Sequence, residues 1–101
     1  MTYLTITSDE ALAMLARGHV LLIDVRTPDE FEESHIPGAI NLPLYELLEL
    51  IEEIVPELDQ HIVIYCQTGR RSQSAAQALV YVGYTAVYDL GGIEDWTGEI
   101  Q

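Results

Sequence analysis

The chain has 101 residues, 49% of them hydrophobic, and a formal net charge of -13 from 17 acidic residues against four arginines and no lysine. That length predicts a single domain over residues 1–101 with a modest core. The charge excludes nucleic acid and anionic membranes as natural partners, because a phosphate surface is repelled. No apolar run approaches the roughly 20 residues that span a bilayer. The start, Met1-Thr2-Tyr3-Leu4-Thr5, has neither the basic residues nor the apolar stretch of a secretory signal. One cysteine cannot form an internal disulfide, so packing must hold the chain, and a reducing, cytoplasmic setting is expected. The acidity reads as a solvated surface, with docking to a basic partner protein as the sharper alternative.

Thr5-Ile6 and the residues before them predict a short edge strand. Ser8-Asp9-Glu10-Ala11 then reads as a helix start with Ser8 as N-cap, an apolar face of Ala11, Leu12, Leu15 and Ala16, and Gly18 as its stop. Val20-Leu21-Leu22-Ile23 is a continuous aliphatic run, the pattern of a strand buried on both faces of a parallel sheet. Thr27-Pro28-Asp29-Glu30 supplies an N-cap, a proline at the first helical position and an acidic first turn. Residues 39–42 form a third strand between Pro37-Gly38 and Pro43. Leu44, Leu47, Leu48, Ile51 and Ile54 then recur at helical spacing up to Pro56. Ile62 to Tyr65 is the fourth strand and Ser72 to Val82 the next helix, buried through Ala75, Ala76, Leu79 and Val80 and ended by Gly83. Ala86-Val87-Tyr88 gives a fifth strand, Gly91-Gly92 a turn, and Ile93 to Trp96 a last helical turn. Strands alternating with helices predict an α/β fold, a parallel sheet covered on both faces with right-handed crossovers.

The fourth strand ends at the lone Cys66 and opens directly into Gln67-Thr68-Gly69-Arg70-Arg71-Ser72. Ligands of open parallel sheets bind at the carboxyl ends of the strands, where this thiol falls. The thiolate is the reactive form of cysteine. Three features favour negative charge there: the N-terminal dipole of the following helix, a Gly69 turn that curls successive N–H groups inward, and the cations Arg70 and Arg71. A structural cysteine is the bland alternative, better suited to a strand interior than to its mouth. Arginines at a helix N-terminus are unfavourable by themselves, so Arg70 and Arg71 call for a ligand or a carboxylate partner.

These residues carry a resemblance. Cys66-Gln67-Thr68-Gly69-Arg70-Arg71-Ser72 resembles the active-site loop of rhodanese-like sulfurtransferases of the single-domain type. Residues 22–31 (Leu22-Ile23-Asp24-Val25-Arg26-Thr27-Pro28-Asp29-Glu30-Phe31) and residues 35–41 (His35-Ile36-Pro37-Gly38-Ala39-Ile40-Asn41) resemble two further family signatures. Gly83-Tyr84, Leu90-Gly91-Gly92 and Trp96 resemble its C-terminal pattern, and Ser34 stands where the family often has glycine. The resemblance implies a rhodanese fold, a five-stranded, mainly parallel sheet between helices. It implies thiosulfate sulfurtransferase activity, in which Cys66 takes sulfane sulfur from thiosulfate or another donor as a persulfide. Cyanide in an assay, or a thiol in the cell, removes it. Backbone N–H groups of Gln67, Thr68, Gly69, Arg70, Arg71 and Ser72 would cradle the persulfide, without metal or organic cofactor.

Asp24 and Arg26 end near the same sheet edge as supporting residues. Asp24 can fix the loop and Arg26 can pair with a carboxylate, but a structural ion pair shaping the turn is the favoured reading. His35 suits a turn-stabilising hydrogen bond better than a general base, and His19 and His61 lack metal-site spacing. Tyr81, Tyr84, Tyr88 and Trp96 read mostly as core. Three other functions compete with enzymatic sulfur transfer. One is a persulfide carrier in a sulfur relay with a partner protein, and another a non-catalytic interaction module. The third is a phosphatase- or arsenate-reductase-like enzyme, whose loop resembles Cys, five residues, Arg; here Arg71 follows Cys66 after only four.

Overall fold

The apolar run before Cys66 becomes the central strand. In the computed structural model, which describes residues 2–101, the strands are β1 (Leu4–Thr5), β2 (Val20–Asp24), β3 (Ile40–Asn41), β4 (His61–Cys66) and β5 (Val87–Gly92). The helices are α1 (Ser8–Arg17), α2 (Pro28–Glu33), α3 (Leu47–Ile54) and α4 (Arg70–Tyr81). The five strands form one sheet in the order β1-β5-β4-β2-β3, and every pairing is parallel. β4 is buried from its second residue to its last, as a run without polar alternation requires when helices cover both faces.

Side-chain alternation splits the core into two layers. Ile23, Val25, Ile62, Ile64, Cys66 and Val87 face α3 and α4, meeting Leu47, Ile51, Ala75, Ala76 and Leu79. Leu22, Val63 and Tyr65 face the other way, against Ile6, Ala11 and Ile36, with Met14, Leu15 and Trp96 at the margin. Cys66 and Tyr65 are neighbours in sequence yet lie on opposite faces, so the thiol belongs to the α4 side. Tyr84 is a core residue, its hydroxyl donating to the Val55 carbonyl at 2.6 Å, whereas Tyr81 is 90% exposed and is no part of the core.

Several boundaries differ from the expectation, each for a local reason. Thr7, not Ser8, caps α1: its hydroxyl accepts the Glu10 N–H while the Glu10 carboxylate accepts the Thr7 N–H, a reciprocal box. The Ser8 hydroxyl instead accepts the Thr97 N–H at 3.0 Å, tying the helix start to the C-terminal segment. The buried face of α1 is Ala11 with Met14 and Leu15 partly covered, while Leu12 and Ala16 stay exposed. The apolar run after Pro43 opens as a 3-10 turn, Leu44–Glu46, before α3. α4 starts at Arg70, two residues before Ser72, because Gly69 takes the cap position at φ 106°, a backbone region that suits glycine. No helix among the described residues is long and apolar enough to cross a membrane.

The largest difference is β5, which continues through the Gly91-Gly92 pair expected to be a turn. Ile64 pairs with Asp89 but Tyr65 pairs with Gly91, so Leu90 is an extra residue that bends the strand. Gly91, at φ 91°, donates its N–H to the Asp89 carboxylate at 2.9 Å and stabilises the bend. The shift brings Gly92 alongside Cys66, against the loop that follows it. A Cβ on Gly92 would stand 2.6 Å from the Gln67 carbonyl oxygen and 3.0 Å from Thr68 backbone atoms. Only a residue without a side chain fits there. Gly92→Ala is therefore expected to destabilise the fold by about 1–3 kcal/mol, the usual scale of overpacking. A thermal melt would show it as a fall of at least about 4 °C for a domain of this size. An unchanged melting temperature would refute so close a contact.

Candidate active site

β4 carries Cys66 to the carboxyl edge of the sheet, and the turn after it folds back over the sulfur. Sγ accepts the backbone N–H of Gly69 at 3.0 Å and that of Ser72 at 3.3 Å. The left-handed Gly69 aims the first donor inward, and the first turn of α4 supplies the second. The Ser72 hydroxyl, itself buried, donates to the Gly69 carbonyl at 3.1 Å and locks the turn. Two converging N–H groups and the positive end of a 12-residue helix stabilise negative charge on the sulfur or on an atom bonded to it. Cys66 is fully buried, while Thr68 and Arg70 are exposed at the rim and Gln67 is half-buried.

The two adjacent arginines differ. Arg71 forms a fork with Glu30, Nη1 to Oε1 at 2.6 Å and Nη2 to Oε2 at 2.9 Å. This is the carboxylate partner that its place at a helix start demanded. The Arg71 guanidinium holds the Glu30 carboxyl down at about 2 against partial burial, with the Thr27 N–H and hydroxyl assisting. The same contact raises Arg71 above its ordinary value. Arg70 is exposed and forms no ion pair among the described residues. One cation of the two is thus free to meet an anion.

Asp24 and Arg26 form a buried ion pair at 2.7 Å, and the Arg26 N–H donates to the same carboxylate at 2.9 Å, fixing the turn after β2. Arg26 also reaches beyond that turn, Nη2 donating to the Ser34 carbonyl at 2.6 Å and Nη1 to the Gln67 side-chain oxygen at 3.1 Å. Burial works against its charge, but the hydrogen bonds and charge of Asp24 outweigh it and leave Arg26 above its ordinary value. Among the hydrogen bonds of the described residues, Asp24 reaches the cysteine loop through Arg26. Tyr65 lies beneath, its ring centroid 5.7 Å from the guanidinium carbon and its hydroxyl accepting the Ile36 N–H at 3.1 Å. Burial, then the nearby Asp24 carboxylate, pushes that phenol well above the usual range. His35 stacks on Phe31 and its Nδ1 lies 2.9 Å from the Phe31 carbonyl, a turn contact as expected.

Two residues of this arrangement escaped the sequence. Glu30 was legible as the capping-box acid of α2, but its ion pair joins residues 41 apart, which local spacing does not show. Gly92 was legible as a glycine, but only the strand bulge explains why it must be one.

The Glu30 carboxyl lies below its unfolded value of 4.5, so its contribution to stability is complete above that pH and is lost as the pH falls toward 2. The fork is about one-third exposed, which limits the contribution to the order of 1 kcal/mol. Urea unfolding of the parent chain should therefore weaken more steeply between pH 4.5 and 2 than that of Glu30→Gln. Parallel acid limbs would show that the pair contributes nothing in solution.

Known proteins share this architecture. Residues 7–99 match the family described as a rhodanese-like domain. Thiosulfate sulfurtransferase PspE of Escherichia coli (strain K12) is 42% identical over 73 residues, which cover 72% of this chain and 70% of that protein. Thiosulfate sulfurtransferase GlpE of Pseudomonas syringae pv. syringae is 40% identical over 92 residues, 90% of this chain and 84% of that protein. Among solved structures, a rhodanese with anions from E. coli aligns with a TM-score of 0.77 at 38% identity, covering 81% of this chain and 96% of that one. With the all-parallel sheet and the cysteine loop at its carboxyl edge, these matches place the chain in the rhodanese-like family of sulfurtransferases.

Proposed function

We propose that this chain moves sulfane sulfur from thiosulfate, or a donor of similar chemistry, to a thiophilic acceptor through a persulfide on Cys66. The observation that carries the reading is the pair of backbone N–H donors on Cys66 Sγ at the head of α4. In the first step the Cys66 thiolate attacks the outer sulfur of thiosulfate. A sulfur–sulfur bond forms to the protein, the one inside thiosulfate breaks, and sulfite leaves with its electron pair. In the second step a nucleophile, cyanide in an assay or a thiol in the cell, attacks the outer sulfur of the persulfide and returns Cys66 as thiolate. Both steps conserve charge and need no cofactor.

The backbone donors along residues 67–72 serve both steps by holding negative charge on sulfur without reorganising. Cys66 is buried, so admitting a donor calls for a small outward movement of the loop. The relatives named thiosulfate sulfurtransferase support the choice of donor. Arg70, the free cation at the rim, draws the anion in against the field of a chain with net charge -13. Arg71 is spent on Glu30 and serves the fold.

Cys66→Ser should abolish thiosulfate:cyanide sulfurtransferase activity, and thiosulfate should add about 32 Da, one sulfur atom, to the parent chain at Cys66. Activity that survives the substitution, or a protein that gains no mass, would overturn the reading. The two arginines should separate. Arg70→Ala is expected to raise KM for thiosulfate about two- to fivefold with little change in melting temperature, the scale of one exposed charge pair. Arg71→Ala should mainly lower the melting temperature. Steady-state kinetics and a thermal melt on both variants decide, and an unchanged KM in Arg70→Ala would remove its role.

A further inference from the structure

The hydrogen bond between Arg26 and Gln67 dictates which end of the Gln67 amide is left for a ligand. Arg26 is buried, with Nε and Nη2 committed to Asp24 and the Ser34 carbonyl, and Nη1 donates to Gln67 Oε1 at 3.1 Å. A guanidinium has donors only, so the amide must turn its oxygen toward Arg26. Its NH2 group, with two donors, is then directed elsewhere. That nitrogen has no hydrogen-bond partner among the described residues, and none of their buried side-chain nitrogens or oxygens lacks one. The NH2 therefore lies open to solvent. It belongs to the residue bonded directly to Cys66, at the rim of the nest.

We infer that the Gln67 side chain is a specificity-determining donor, its NH2 binding the oxygens of the sulfite end of thiosulfate, with Arg26 as its positioning residue. This rests on the sulfur-transfer reading above. As the Cys66 sulfur bonds to the outer sulfur of thiosulfate, the departing electron pair leaves on sulfite, whose three oxygens face outward from the nest. The loop N–H groups on Cys66 serve the sulfur that stays; the Gln67 amide serves the group that leaves. A pre-aimed amide loses little freedom on binding, which is what Arg26 contributes. A donor whose leaving group carries no oxygen, such as inorganic polysulfide, gains nothing from it.

The test is the ratio of second-order rates of Cys66 persulfide formation from thiosulfate and from inorganic polysulfide, followed by mass spectrometry. Gln67→Glu keeps an acceptor for Arg26 and replaces the NH2 by an oxygen that repels sulfite; Gln67→Met keeps the length and removes both groups. Each should lower the thiosulfate-to-polysulfide ratio about tenfold, the scale of a hydrogen bond to a charged group. A merely disturbed loop would slow both donors alike and leave the ratio standing. Arg26→Lys, which keeps charge beside Asp24 but loses the fork, should lower the same ratio, and should add nothing when combined with Gln67→Met. If Arg26→Lys does not fold, the two Gln67 variants decide alone. A parent chain that loads with both donors, with ratios preserved in the variants, overturns the role of Gln67 only. A parent chain that loads with neither overturns the sulfur-transfer reading and this inference with it.

Discussion

The buried pair of Asp24 and Arg26 is the contact on which the functional edge of the molecule depends. Taking a carboxylate and a guanidinium out of water costs several kcal/mol per ion, and their attraction offsets this only when the remaining donors and acceptors are also satisfied. Here they are. Asp24 accepts Nε, Nη2 and the Arg26 N–H, and the other guanidinium donors reach the Ser34 carbonyl and Gln67. Asn41 donates to the backbone carbonyls of both Asp24 and Arg26, so β3 is tied to the same turn. The end of β2, the end of α2, β3 and the cysteine loop thus share one anchor. Removing either charge would leave the other buried and unpaired, a loss of about 3–5 kcal/mol that all four segments would feel.

The same logic explains how so acidic a chain can present a positive site. Of its four arginines, Arg26 is neutralised inside and Arg71 at the rim, and Arg17 lies in the last turn of α1, where it complements the helix dipole. Arg70 is left at the mouth of the nest. An isolated cation beside aligned N–H groups acts over a few ångströms, whereas the repulsion from 17 acidic side chains is spread out and screened beyond about 10 Å in ordinary salt. Attraction at the site therefore coexists with repulsion at a distance. The pairing of Arg71 matters for the same reason: a second free guanidinium beside the first would be stabilised only when ligand is bound.

What the sequence revealed and what it concealed follow from the range of the forces involved. The strands were legible because Val20–Ile23 and Ile62–Tyr65 are apolar throughout, and burial on two faces writes itself into composition. The capping box of α2 was legible because Thr27 and Glu30 are three residues apart. The cap of α1 lies one residue before the expected Ser8, since Thr7 and Ser8 both cap well and Thr7 is the one with Glu10 three residues on to close a box. The position of Cys66 could be read from the order of strand, glycine and helix. The Glu30–Arg71 fork and the fit of Gly92 under Gln67 could not, because each depends on sheet register rather than neighbouring residues.

The spacing between Cys66 and Arg71 bears on which anion this sheet edge can hold. A tetrahedral oxyanion held over a cysteine needs donors for several oxygens and a cation to meet them as charge builds. A longer loop would place an arginine one position later, where this chain has Ser72, buried and with its hydroxyl spent on the Gly69 carbonyl. The arginine before it, Arg71, is turned aside into the fork with Glu30. On the Cys66 sulfur itself two backbone N–H groups converge, those of Gly69 and Ser72. Two donors converging on one atom match a negative charge that sits on a single polarizable sulfur.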